Sequence, residues 1–200
     1  MELPGIFEST IFSRRHFMMS STFIKAMHPR TSIRPDPTAI RRILDAGWVG
    51  QMKVHGHRAQ IHVSANEDVP PLAYNRQGRL HVKHVPPAMA RELFRLFKPP
   101  SGWTAVDAEW LKDENQLFVF DVLKRSEQVL ATMTYLERYE FLPQVYVSPI
   151  IKTLPLLRTV EKCMNVLAST EAWIEGLVFK STTSSGFNDT AIIRCRKAGI

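Results

Sequence analysis

Two apolar runs, Trp103 to Leu111 and Leu117 to Leu123, most narrow what this chain can fold into. Each is short and dense in Val, Leu, Phe and Trp, and the polar stretch Lys112 to Gln116 separates them, which is the pattern of strands buried in a sheet. Inside the first run lies Glu109, and a carboxylate in an apolar strand needs a cation, a salt bridge or a hydroxyl partner. Any fold must bury both strands and still satisfy that charge.

Strand patterns also cover Trp48 to Lys53 and Arg58 to Val63, where Ile61 and Val63 alternate with Gln60 and His62, so Lys53 falls at a strand end or in the turn between them. Asp36-Pro37-Thr38 reads as a helix start, an N-cap followed by proline, with Ile40, Ile43 and Leu44 on one face and Gly47 as the stop. A second helix opens at Pro86-Pro87, carries Met89, Leu93, Phe94 and Phe97 as a core stripe, and closes at Lys98-Pro99-Pro100. Thr134 to Glu137 has the form of a capping box and starts a helix expected to run through Leu142. A short strand is expected over Gln144 to Val147, a helix from about Leu156 to Ala168, and a last strand over Ala191 to Arg196. Tyr74 to Gly78 reads as a hairpin connection. Residues before Arg34 show no clean period, and the mixed run Ser13 to Met19 is expected to pack or to form a flexible arm.

At 200 residues the chain has room for one domain over residues 36–200 preceded by an N-terminal arm over 1–35. A net charge of +7 and a pI near 9.6, with arginines spread along the sequence, favour an anionic partner such as nucleic acid or nucleotide phosphate over a merely solvated basic surface. Cys163 and Cys195 have no metal-ligand spacing and read as buried, reduced thiols of a cytoplasmic protein. No apolar stretch is long enough to span a bilayer, and Glu2 and Glu8 make the N-terminus a poor secretory signal.

Lys53-Val54-His55-Gly56-His57-Arg58 sets one amine beside a glycine turn, a common arrangement by itself. Order and spacing give it weight. Arg76 follows in the turn before Gly78, then Asp107-Ala108-Glu109, Phe120-Asp121-Val122-Leu123, Leu136-Glu137-Arg138, Glu175-Gly176-Leu177-Val178-Phe179-Lys180, and finally Arg194 and Arg196 at alternate positions. From about Gln51 to Lys197 the series resembles the nucleotidyltransferase domain of ATP-dependent polynucleotide ligases. That family has Lys-x-Asp-Gly-x-Arg, an Arg-x-Gly turn, Asp-Gly-Glu, Phe-Asp-hydrophobic-Leu, Glu-Gly with a following lysine, and two alternate lysines in this order; Glu175 to Lys180 is the most specific match.

The resemblance implies an α+β fold, a nucleotidyltransferase-type (ATP-grasp-like) domain of antiparallel sheets flanked by helices around a nucleotide cleft. It implies that Lys53 takes AMP from ATP, that Lys180 with Arg194 or Arg196 holds the α-phosphate, and that Glu109 and Glu175 bind Mg²⁺ or the ribose. Arg58 would contact ribose or phosphate, Arg76 phosphate, and Phe120 would stack on the adenine. The adenylate would pass to a 5′-phosphate and a 3′-hydroxyl would displace AMP, sealing nicked double-stranded DNA or an RNA/DNA hybrid, with the protein acting as a monomer and away from membranes.

Three departures qualify the match. His55 replaces the family aspartate, as it does in one branch of RNA end-joining ligases; Ala108 stands at a glycine position; Arg194 and Arg196 keep the charge of two lysines but not their titratable amines. Little sequence follows Arg196, so the oligonucleotide-binding barrel of most relatives is not expected here, and a minimal enzyme, a fragment or a partner-dependent enzyme each fit. Arg14, Arg15 and Arg30 are candidates for a substitute grip on nucleic acid. The alternatives are a non-catalytic nucleotide- or nucleic-acid-binding relative and, further off, an RNA-capping enzyme that transfers GMP.

Overall fold

A computed structural model describes residues 21–143 and 148–197, so the run Ser13 to Met19, Arg14 and Arg15, and the strand expected over Gln144 to Val147 lie outside the described residues. In chain order the elements are β1 (Thr31–Ile33), α1 (Pro37–Asp45), β2 (Trp48–Val54), β3 (His57–Ser64), β4 (Leu72–Tyr74), α2 (Pro87–Phe97), β5 (Trp103–Leu111), β6 (Gln116–Arg125), β7 (Gln128–Val129), α3 (Tyr135–Tyr139), β8 (Ile151–Thr153), α4 (Val160–Ala168), β9 (Ile174–Ser181) and β10 (Ile192–Arg196). One sheet has the order β1-β10-β9-β2; the other has the order β4-β3-β5-β6-β7, with β8 added on β6. Pairings are antiparallel except β1 on β10 and β8 on β6. The architecture is the expected α+β one.

Strand alternation decides which face becomes core. Ala59, Ile61 and Val63 of β3 join Val106, Ala108 and Trp110 of β5 in one apolar cluster, closed by Met89, Leu93 and Phe97 of α2. Each of the Val, Ile, Leu, Met and Phe side chains among them contributes roughly 1.5–3 kcal/mol when fully buried. The residues between them, Arg58, Gln60 and His62 on β3 and Asp107 and Glu109 on β5, point the other way, with Arg58 opposite Glu109 and Gln60 opposite Asp107. In the smaller sheet, Leu177, Phe179 and Cys195 pack against Ile40 of α1 and Cys163 of α4. Its opposite face carries Gln51, Lys53, Val178, Lys180, Arg194 and Arg196, so the polar faces of both sheets border one cleft.

Helix starts follow the sequence, with Asp36 capping α1 through the Ala39 amide and Thr134 and Glu137 completing a capping box on α3. Two boundaries differ from expectation. The α3 helix stops at Tyr139 because Phe141 and Leu142 bond three residues back, to Arg138 and Tyr139, and Pro143 follows. The α4 helix starts at Val160, not Leu156, because Leu157 exchanges two backbone hydrogen bonds with Gly50 of β2 and Thr159 then caps the helix. Cys163 and Cys195 are buried free thiols, and burial pushes Cys163 up to about 11. No helix among the described residues is long and apolar enough to cross a membrane.

Candidate active site

Lys53 lies one residue from the end of β2, opposite Gly176 of β9, which in turn faces Arg196 of β10. The register slips between Lys53 and Val54, leaving Glu175 as the extra residue of a bulge that turns its carboxylate toward Lys53. Gly176 makes this possible: its φ is +149°, and a Cβ there would sit 2.1 Å from the Cys195 carbonyl oxygen. Glu175 then gathers an amine, an imidazole and a guanidinium. Lys53 donates to one carboxylate oxygen, His55 Nδ1 lies 2.7 Å from the other, and Arg196 Nε is 3.6 Å away. Burial opposes its charge, but the hydrogen bonds from Lys53 and His55 outweigh burial and hold its carboxyl below the usual range.

On the facing sheet, Glu109 accepts a hydrogen bond from the Gly56 amide at 3.1 Å, and burial raises its carboxyl to about 7 against the pull of Arg58 and Lys53. Arg58 is clamped by both oxygens of Asp107, its Nε to Oδ1 at 2.7 Å, and Nη1 donates to the Met27 carbonyl at 3.0 Å. Burial disfavours its charge, yet the Asp107 pair outweighs that and holds the guanidinium more firmly protonated than usual. The Arg58 guanidinium also lies 5.4 Å from the centre of the Phe120 ring.

Lys180 points into the same space but is buried, its Nζ 4.6 Å from the Phe120 ring centre and 4.2 Å from that of Tyr135, donating to the Phe120 carbonyl at 3.3 Å. Burial pushes its ammonium down to about 8, even with Asp121 and Asp107 nearby. Phe120 reaches the cleft because β6 also bulges there, pairing Val119 with Ala108 and Asp121 with Asp107.

All nine residues expected at the site, Lys53, Arg58, Arg76, Glu109, Phe120, Glu175, Lys180, Arg194 and Arg196, line one cleft of about 750 Å³. They differ in how free they are. Arg58 is committed to Asp107, and Arg194 Nε donates to Ser32 at 2.6 Å, while Arg76 stands exposed in its turn. Among the described residues no group of three or more His, Cys, Asp and Glu converges as a metal cage. Glu109 and Glu175 suit the looser habit of Mg²⁺, which is commonly held by one or two carboxylates together with substrate phosphates.

Sequence reasoning missed Gln51, which borders the cleft two residues before Lys53 and on the same strand face. Its Nε2 donates to the Leu154 carbonyl at 3.0 Å, and its buried Oε1 has no partner among the described residues. A polar residue amid the apolar positions of β2 was the available signal. The segment before β1 was also missed as a wall of the cleft: Lys25, His28 and Arg30 border it, and Asp189 holds the His28 amide and Arg30 Nε, each at 2.8 Å.

No family model matches the sequence, and no curated protein matches it. Solved structures do. The ligase domain of LigD from M. tuberculosis aligns with 73% of this chain and 52% of its own length, at 16% identity and a TM-score of 0.50. A Lig E DNA ligase, described as binding DNA with a minimal scaffold, aligns over 88% of this chain and 70% of its own at 14% identity and a TM-score of 0.51. A structure titled Pmar-Lig aligns over 83% and 46% at 12% identity and a TM-score of 0.52. The chain thus spans about half the length of the LigD ligase domain that it matches. Together with the two sheets facing one cleft, these likenesses show that the chain has the fold of the nucleotidyltransferase domain of ATP-dependent polynucleotide ligases.

Proposed function

We propose that this protein is an ATP-dependent polynucleotide ligase that carries AMP on Lys53. The observation that carries the reading is the cleft itself, where an amine near a strand end, two carboxylates and several cations meet from positions 53 to 196. In the first step the neutral Lys53 amine attacks the α-phosphorus, the N–P bond forms, the bond to pyrophosphate breaks and the amine proton leaves through its hydrogen-bond partner Glu175. Lys180, Arg194 and Arg196 offset phosphate charge, and positioning and charge stabilisation supply most of the acceleration in such transfers. Mg²⁺, held by Glu109 and Glu175 with the phosphates, would add further charge neutralisation. The adenylate then moves to the 5′-phosphate of a nick, and the adjoining 3′-hydroxyl displaces AMP.

Gln51 supports ATP over GTP. With Nε2 committed to Leu154, Oε1 is left as an acceptor, buried in the free protein and to be uncovered as the base enters, which suits the exocyclic amino donor of adenine and opposes the carbonyl of guanine. Replacing Gln51 by Ala should reduce discrimination between ATP and GTP by roughly five- to tenfold, about one hydrogen bond. The test of function is sealing of nicked duplexes, with DNA or RNA on the 3′ side, in the presence of Mg²⁺ and ATP. Sealing by the wild type that disappears in Lys53→Ala is expected; the absence of sealing on these duplexes and on a pre-adenylated nick, by folded protein, would contradict the reading.

A further inference from the structure

Lys180 is a buried ammonium that no carboxylate among the described residues approaches within salt-bridge distance. The acids that act on it are spent elsewhere: Asp121 is engaged through both oxygens by Arg138, and Asp107 through both oxygens by Arg58. Two ring faces and one carbonyl hold it instead. Its Nζ lies 4.2 Å from the ring centre of Tyr135 and 4.6 Å from that of Phe120, and it donates to the Phe120 carbonyl at 3.3 Å. A buried charge with so few polar partners keeps its proton only where the negative faces of the rings replace part of the lost water.

The Phe120 carbonyl can serve because β6 bulges there: Val119 pairs with Ala108 and Asp121 with Asp107, so Phe120 is the extra residue between them. The same carbonyl accepts from the Tyr135 hydroxyl at 3.0 Å. Tyr135 thus acts on Lys180 twice, through its ring and through the carbonyl that both side chains share. Its own place is fixed by α3, whose capping box opens at Thr134 and whose Arg138 grips Asp121, the residue after Phe120. Tyr135 is buried and does not border the cleft, so it reaches a bound nucleotide only through Lys180.

We infer that Tyr135 is a positioning residue, which holds the charged end of Lys180 at the cleft through its ring face and through the Phe120 carbonyl. The inference rests on the ligase reading only for the phosphate that Lys180 would meet. Burial pushes Lys180 down to about 8; Asp121 of β6 and Asp107 of β5 support its charge, while Arg58 of β3 and Arg138 of α3 oppose it. Burial also holds the Tyr135 hydroxyl well above its ordinary range, so it stays a donor while Lys180 titrates.

The test follows the Lys180 ammonium by NMR in the whole chain, with lysine labelled at Cε and the signal assigned by its loss in Lys180→Met. Tyr135→Leu keeps the site apolar but removes ring and hydroxyl, and the Lys180 titration is expected to fall by roughly one pH unit. Tyr135→Phe keeps the ring and stays near wild type, as does Tyr139→Leu, which removes a buried ring of the same helix whose hydroxyl goes to the Leu154 carbonyl. An unmoved titration in Tyr135→Leu, or an equal fall in Tyr139→Leu, overturns the inference. Where Tyr135→Leu does not fold, the wild type decides: ε-methylene protons of Lys180 upfield of those of exposed lysines support the cage of rings, and protons level with them overturn it. The same variants are then scored for AMP transfer to Lys53 against pH. Charge on Lys180 is lost as pH rises, so the alkaline limb should move down in Tyr135→Leu and stay in Tyr135→Phe, and a limb that does not move overturns the positioning role. Absence of AMP transfer in the wild type counts against the ligase reading alone, since the titration of Lys180 is read without nucleotide.

Discussion

Glu109 carries its carboxyl at about 7 because its place on β5, opposite Arg58, removes it from water faster than Arg58 and Lys53 can compensate. The native state then binds a proton that the unfolded chain has lost, so the contribution of Glu109 to stability is full below about 4.5 and is lost as pH rises to about 7. Glu109→Gln should flatten that fall in denaturant titrations at the two ends of this window. His55 offers a second test. Its ring shares Glu175 with Lys53, and His55→Asp would set a second carboxylate beside Glu175, raise the Glu175 carboxyl and move the acid limb of adenylation to higher pH. An unchanged pH profile would show that the His55–Glu175 contact does not bear on the reaction. At this scale the sequence is partly legible. Lys53, Glu175 and Lys180 stand out by spacing, whereas the commitment of Arg58 to Asp107 depends on strand register, and the free oxygen of Gln51 depends on where Leu154 falls.

Two elements hold the site by devices that local pattern does not reveal. The bulge at Glu175 needs Gly176, and Gly176→Ala should destabilise the fold by about 3 kcal/mol or more, since it adds a clash with the Cys195 carbonyl to an unfavourable φ. On β6, Asp121 is fully engaged by the buried Arg138 of α3, at 2.9 and 3.0 Å, and the same guanidinium reaches the Met133 carbonyl at 2.8 Å. Leu136-Glu137-Arg138 thus serves here to dock α3 under β6, next to Lys180. Removing one partner strands a buried charge, so Arg138→Met should cost about 3–5 kcal/mol in urea unfolding, and Asp121→Asn/Arg138→Met together much less than the sum. The helices and the strands β2, β3, β5, β6 and β10 were legible from caps, alternation and apolar runs, whereas β9 was marked only by its motif. The short strands β1, β4, β7 and β8 were not, because three or fewer residues carry no period and owe their conformation to a neighbour.

For the molecule as a whole, two sheets turn their polar faces toward one cleft, their apolar faces are covered by α1 and α4 on one side and α2 on the other, and the segment 21–33 ties the two together. Positive charge is concentrated where a nucleotide and a polynucleotide end would meet under the proposed function, which predicts that duplex binding is steeply salt-dependent. The central claim concerns one atom, Lys53 Nζ. The measurement that reaches it most directly is intact-protein mass spectrometry after incubation with ATP and Mg²⁺, followed by peptide mapping, on the wild type and on Lys53→Ala. A mass gain of one AMP located on Lys53, absent from the variant and weaker with GTP, is the predicted result. AMP attached at another residue, or no nucleotide on folded protein that still binds ATP, would contradict it.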